Sequence, residues 1–128
     1  MEINTHHRID RALCGTPLEL GPGRAVVRLT LLAAMAADDR GLVHGGFVFG
    51  LADYAAMLAV NDPLVVLGAA EVRFLGPVAV GETVEAEAVL EEGTGKKRLA
   101  VVTVRRGEKT VFTGRFTCFV LEKHVLDV

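Results

Sequence analysis

The sequence predicts an α+β fold, an antiparallel sheet wrapped around one long central helix. Three observations carry this. The segment from about His44 to Val60 is apolar nearly all the way round, which marks a helix buried on most sides. After it comes a series of strand-like segments separated by glycine-containing turns. A lone apolar helix and an apolar sheet face must cover each other, so the helix lies against the sheet.

Each element has its own warrant. Thr5 to Leu13 reads as a short helix, with Thr5 as cap and Ile9, Ala12 and Leu13 on one side. Pro17, Gly21, Pro22 and Gly23 punctuate a short strand and a turn, and Arg24 to Leu32 is rich in Val, Leu and Thr and reads as a strand. Ala36 to Val43 is a loop carrying Asp38, Asp39, Arg40 and Gly41, and Pro63 ends the long helix that follows. Leu64 to Phe74 is a continuous apolar strand broken by Gly76-Pro77. From Thr83 to Glu91 the residues alternate, with Val84, Ala86, Ala88 and Leu90 on one face and Glu85, Glu87 and Glu91 on the other. Gly93 to Gly95 turns the chain, Arg98 to Arg105 returns, Arg106-Gly107 turns again, and Thr110 to Leu121 closes the sheet. Consecutive strands with short turns predict an antiparallel meander.

The 128 residues fit a single domain over 1–128. A hydrophobic fraction of 51% and a mean hydropathy of +0.39 are rich for a small monomer, so pairing across a two-fold axis is expected. With a net charge of −2, no Trp and one Tyr, the chain offers neither the field nor the stacking platform that nucleic acid needs. Leu42 to Val60 approaches membrane-span length but carries His44, Asp53 and three glycines, so no membrane partner is expected. The start, MEINTHHRID, has no hydrophobic stretch of the secretory kind, and a cytoplasmic location follows as the expectation. Cys14 and Cys118 read as packing thiols. His6, His7 and His124 have no ligand partners at metal-binding spacing, and no metal is expected.

The chemistry concentrates in one segment. Asp53 is the only carboxylate between Gly41 and Asn61, and an acid in apolar surroundings is costly unless it is paired or used. Upstream, His44-Gly45-Gly46 can open the helix with bare N–H groups facing a ligand. His44 itself reads either as a lock on the loop or as a base.

The string HGGFVFGLAD, in which the Asp follows the His by nine positions, resembles the hotdog-fold acyl-CoA thioesterases, specifically the phenylacetyl-CoA (PaaI-type) branch. AEVRFLGPVAVGETVEAEAVL also looks like that family's second strand pair, with Phe74, Pro77, Gly81 and Glu82 in its aromatic-x-x-Pro and Gly-acid places. The resemblance covers about residues 20–120. It implies a hotdog fold that hydrolyses an acyl-CoA thioester, with coenzyme A entering as part of the substrate and no further cofactor. The thioester carbonyl would sit at the Gly45 or Gly46 amide, and Asp53 would act as general base on water or as nucleophile. Gly46 and Asp53 are seven positions apart, about 10 Å along a helix. That is too far for one helix to serve one carbonyl with both, so a homodimer with composite sites is expected, or a tetramer of two such dimers.

Two departures from the family pattern stand out. Many members have Asn six residues before the His, where this chain has Asp38, a candidate acceptor or second base. Some have a Ser or Thr after the helix, where this chain has Val66-Leu67-Gly68. Arg73 and the cluster Lys96, Lys97 and Arg98 are candidates for holding the phosphates of coenzyme A. Phe47, Phe49, Tyr54 and Met57 suit an acyl pocket and a core equally. A rival implication is a non-catalytic acyl-CoA sensor, because VLGAAEVRFLGPV is similar to the ligand domain of the malonyl-CoA-sensing lipid-synthesis repressors. The Asp-x-Asn-Pro-x-His motif of hydratases sharing the fold does not occur.

Overall fold

The computed structural model describes residues 1–92 and 95–127, so residues 93 and 94 of the expected glycine turn lie outside the described residues. The elements are α1 (Arg11–Cys14), β1 (Thr16–Gly21), β2 (Arg24–Thr30), a 3-10 turn at Ala33–Met35, α2 (Gly45–Val60), β3 (Val65–Phe74), β4 (Thr83–Glu92), β5 (Lys97–Arg106) and β6 (Lys109–Val120). The strands form one antiparallel six-stranded sheet in the order β1-β2-β4-β5-β6-β3. α2 lies across one face of it. This is the hotdog arrangement.

The alternation read from Thr83 onward sets the inner face. Val84, Ala86 and Ala88 are fully buried, as are Ala100, Val102 and Val104 on β5 and Phe112, Phe116 and Cys118 on β6. Small residues on β4 let α2 approach closely, and the helix presents Leu51, Ala52, Ala55, Ala56 and Leu58 to the sheet, all buried. The outer face is polar. Cross-strand ion pairs there, Arg24 to Glu87 at 2.7 Å and Arg28 to Glu85 at 2.8 Å, are solvent-exposed. Pairs of that kind contribute about 0–1 kcal/mol each, so strand order is set by the apolar face.

Three expectations are corrected. The strands are not a simple meander: β4, β5 and β6 are, but β3 pairs with β6 at the sheet edge, and the chain must cross to reach β4 beside β2. The crossing segment, residues 75–82, runs under the start of α2. Val43 N donates to Val78 O at 2.9 Å, and Val80 N to Gly41 O at 2.9 Å. Second, Thr5 does not cap a helix. His6 has a positive φ of 54°, its ring Nδ1 is 2.7 Å from the Thr5 hydroxyl, and helix starts only at Arg11, capped by Asp10. Third, α2 is ended by Asn61 rather than Pro63. Asn61 adopts a left-handed conformation at φ 54°, accepts from Asn4 N and donates to Glu2 O, both at 2.8 Å. The first residues are thereby tied to the end of α2.

Candidate active site on the open face of the central helix

α2 is covered unevenly. Its contacts are richest with β2, β4 and β5 and sparser with β6, β3 and β1, the last being on the side where α1 also packs. At 100° per residue, Gly46, Phe49, Gly50 and Asp53 share one face. None of them is buried, whereas Leu51, Ala52 and every residue from Tyr54 to Ala59 are. Phe49 sets the direction of this face, since its ring lies 5.5 Å from that of Phe116 on β6. A side chain added at Gly50 would meet nothing within 4 Å, so the face opens into free space there.

Asp53 stands in the middle of this stripe. Its Oδ1 is buried and has no hydrogen-bond partner. Burial raises the carboxyl from the ordinary 3.8 to about 6, because the charged form loses water and gains no compensating cation. The same negative charge reaches both thiols. Cys118 is pushed up to about 11, first by its own burial and then by Asp53, and Cys14 is raised by burial, Asp10 and Asp53. Thiols held protonated in this way are poor nucleophiles, in keeping with their reading as packing residues.

At the helix entrance, Gly45 and Gly46 open α2 and no acid occupies its first turn. The unmet N–H groups and the helix dipole therefore face outward without competition. His44 precedes them as N-cap, but its side chain makes no capping bond. Its backbone fixes the entrance, with His44 N donating to Met35 O at 2.9 Å. Its imidazole folds back on Gly46, where Nε2 lies 2.9 Å from the place a Cβ would occupy. Gly45 faces Phe74, whose ring lies 3.0 Å from the equivalent position. Both glycines thus admit an aromatic ring that any side chain would displace.

Of the other candidates, Asp38 borders a second hollow beside the entrance, and the basic ones are not gathered here. Asp38 is exposed and accepts from Arg40 N at 2.9 Å and Leu42 N at 3.1 Å, which shapes the loop before the helix. Arg73 points to the outer sheet face, beside Glu71, Thr103, Thr113 and Arg115. Lys97 pairs with Phe119, while Val111, eight residues earlier on β6, borders the hollow at Gly45. At about 3.4 Å per residue, Lys97 is some 27 Å from that hollow. Arg98 donates to Gly95 O at 2.6 Å. Sequence reasoning assigns no part to Arg40 and Arg106, which line that second hollow near the entrance. Their separation in the chain gives no motif to find them by. Tyr54 and Met57 are core residues, 2% and 1% exposed.

Among the described residues, no group of three or more His, Cys, Asp or Glu could hold a metal ion, and no helix is long and apolar enough to cross a membrane.

Comparison with known proteins places this geometry. Residues 31–112 match the MaoC-like domain family. The structure superposes on the uncharacterized protein PH1136 of Pyrococcus horikoshii with a TM-score of 0.97 at 54% identity, over 99% of this chain and 98% of that one. A variant of the phenylacetic acid degradation protein PaaI of Thermus thermophilus superposes with a TM-score of 0.79 at 34% identity, over 87% and 96% of the two chains. By sequence, the chain is 48% identical over 123 residues to a methylthioribose-1-phosphate isomerase of Aquifex aeolicus (strain VF5), covering 95% of this chain and 27% of the relative. It is also 35% identical over 83 residues to the transcription factor FapR of Shouchella clausii (strain KSM-K16), covering 64% and 43%. The chain spans less than half the length of either of these two relatives. With residues 31–112 in the match and a single helix laid across an antiparallel sheet, the chain belongs to the MaoC-like domain family and has its hotdog fold.

Proposed function

We propose that the protein hydrolyses the thioester bond of an acyl-CoA, with Asp53 as the base. The observation that carries this reading is the buried, unpartnered Oδ1 of Asp53 on the one open face of α2. A carboxyl raised to about 6 is largely ionised at neutral pH yet more basic than a solvated aspartate. In the proposed reaction Asp53 takes a proton from water as the oxygen adds to the thioester carbonyl. The Gly45 or Gly46 N–H and the dipole of α2 stabilise the resulting oxyanion. Collapse expels the thiolate, which recovers the proton from Asp53, so that acyl-CoA and water become a carboxylic acid and free coenzyme A. Nucleophilic attack by Asp53 through an anhydride is the alternative route to the same products.

Gly46 and Asp53 of one helix are about 10 Å apart, so the site takes its amide from one subunit and its carboxylate from another. The incompletely covered β6–β3 side of α2 and the exposed edge strand β3 support such pairing. The likeness to PaaI supports the thioester substrate. A second reading, a sensor that binds an acyl-CoA without turnover, is favoured by the similarity of VLGAAEVRFLGPV to the malonyl-CoA-sensing repressors and by the likeness to a transcription factor, FapR.

A free-thiol assay over aliphatic, aromatic and dicarboxylic acyl-CoAs, run beside equilibrium binding of the same esters, separates the two. Thiol release with at least one ester is expected. Tight binding without thiol release from any of them would replace the hydrolase by the sensor.

A further inference from the structure

We propose that Arg40 anchors the phosphate-bearing part of the ligand; this rests on the acyl-CoA reading above and specifies where that substrate enters. Two hollows adjoin at the start of α2. The first, about 480 Å³, is walled by Val43, Val48, Phe74, Leu75 and Val111 and reaches Gly45. The second, about 370 Å³, is walled by the apolar Leu42, Pro77, Val78 and Ala79 and by the charged Asp38, Arg40, Glu82 and Arg106. Pro77 and Val78 line both, so the two form one groove, apolar toward the helix entrance and charged at its outer end.

The charges at that outer end are not equivalent. Asp38 spends an oxygen on Arg40 N and Leu42 N. Glu82 accepts from Ala79 N at 2.6 Å and faces Arg106 Nη1 at 3.4 Å. Arg106 also donates to Pro77 O at 2.8 Å, which holds the shared wall of the groove. Only the Arg40 guanidinium has no ion pair or hydrogen bond there among the described residues, and neither Asp38 nor Asp39 pairs with it. It is exposed, on a loop whose backbone is fixed by the Asp38 turn and the Leu42–Ala79 bridge.

A guanidinium fits phosphate oxygens with two parallel donors. The ligand class that matches the whole groove has a neutral, flexible arm ending in a phosphate ester or pyrophosphate. In this arrangement the arm runs over Pro77 and Val78, and the thioester comes to Gly45. Lys96, Lys97 and Arg98, at the other end of β5 and β6, take no part in binding to the same protomer's entrance.

Calorimetric titration of coenzyme A, and of pantetheine, which lacks the phosphates, into wild type, Arg40→Ala, Arg40→Lys and Lys97→Ala tests this. Arg40→Ala should weaken coenzyme A about tenfold and leave pantetheine unchanged. Arg40→Lys should recover part of the loss, Lys97→Ala should bind as wild type, and added salt should shrink the Arg40 effect. Unaltered coenzyme A affinity in Arg40→Ala, an equal loss for both ligands, or no binding of coenzyme A by wild type overturns the proposal. Thiol release is measured separately. Arg40-dependent binding of coenzyme A without thiol release would overturn hydrolysis and leave the phosphate anchor standing.

Discussion

Gly46 and Asp53 lie on the same face of α2, two turns apart, with only Gly50 and the edge of Phe49 between them. This spacing separates the amide that can polarise a carbonyl from the carboxylate that can activate water by about 10 Å. Within one subunit the two cannot act on one bond. Across a two-fold axis they can, because none of Gly46, Phe49, Gly50 and Asp53 is fully covered within the subunit.

Complementation follows from this. Asp53→Asn and Gly46→Val homodimers should each be inactive. Mixing and re-annealing them should restore about a quarter of wild-type activity, since half of the dimers are mixed and each mixed dimer has one intact site. Thiol release before and after mixing is the measurement, and no recovery in a sample shown to contain mixed dimers contradicts a shared site.

The glycines at the entrance should be intolerant of even a methyl group. In Gly46→Ala the new Cβ meets the His44 ring at 2.9 Å and in Gly45→Ala the Phe74 ring at 3.0 Å. Both rings belong to residues that are not buried and can swing aside, so the protein should fold normally. The displaced ring would then occupy the space before the helix amides. Turnover should fall by about 10²-fold, the scale of losing an oxyanion donor, while the melting temperature changes little.

Asp53 should make stability depend on pH with a definite sign. Its folded-state pKa of about 6 lies above the ordinary 3.8, so the folded protein holds the proton more tightly. The stability this proton confers is present at low pH and is lost as pH rises from about 4 through 6. Asp53→Asn cannot ionise. Its stability relative to wild type should therefore climb across that window, by on the order of 1–2 kcal/mol once solvent access to the carboxyl is allowed for. Denaturant titrations at pH 4.5 and pH 7.5 measure this, and a difference that does not change with pH would place the Asp53 carboxyl in water.

Gly15 is a test of the fold beneath the site. Its φ is 108°, and a Cβ would stand 2.7 Å from Val27, 2.9 Å from Leu51 and 3.0 Å from the Arg28 carbonyl. Gly15→Ala should therefore cost on the order of 2–4 kcal/mol through backbone strain and overpacking. A thermal melt reads it directly. Because Leu51 lies on α2 two residues before Asp53, activity should fall along with stability.

Much of this is legible in the residues. The run after Gly46, apolar but for Asp53, identifies a buried helix, and the alternation from Val84 to Leu90 identifies the inner sheet face, because burial on one side or all round leaves a trace in the residue pattern. The odd position of Asp53 in an apolar run marks the candidate site, and its raised pKa is the physical expression of that same oddity. What the residues do not reveal depends on contacts far apart in the chain. The pairing of β3 with β6 rather than β4 is a choice between apolar partners that look alike in sequence. Thr5 looks like a cap because Thr caps helices, but its hydroxyl is taken by His6. Arg40 and Arg106 come together only because residues 75–82 cross beneath the helix entrance.

The most direct measurement of the central claim is the pH dependence of thiol release by wild type and Asp53→Asn, with ester binding followed in parallel. Wild type should gain activity with pH through an apparent pKa of about 6 and level off above it. Asp53→Asn should bind the ester as wild type does and lose at least about 10²-fold in turnover at every pH. Full turnover in Asp53→Asn, or the same inflection in its pH profile, would show that another group does the chemistry.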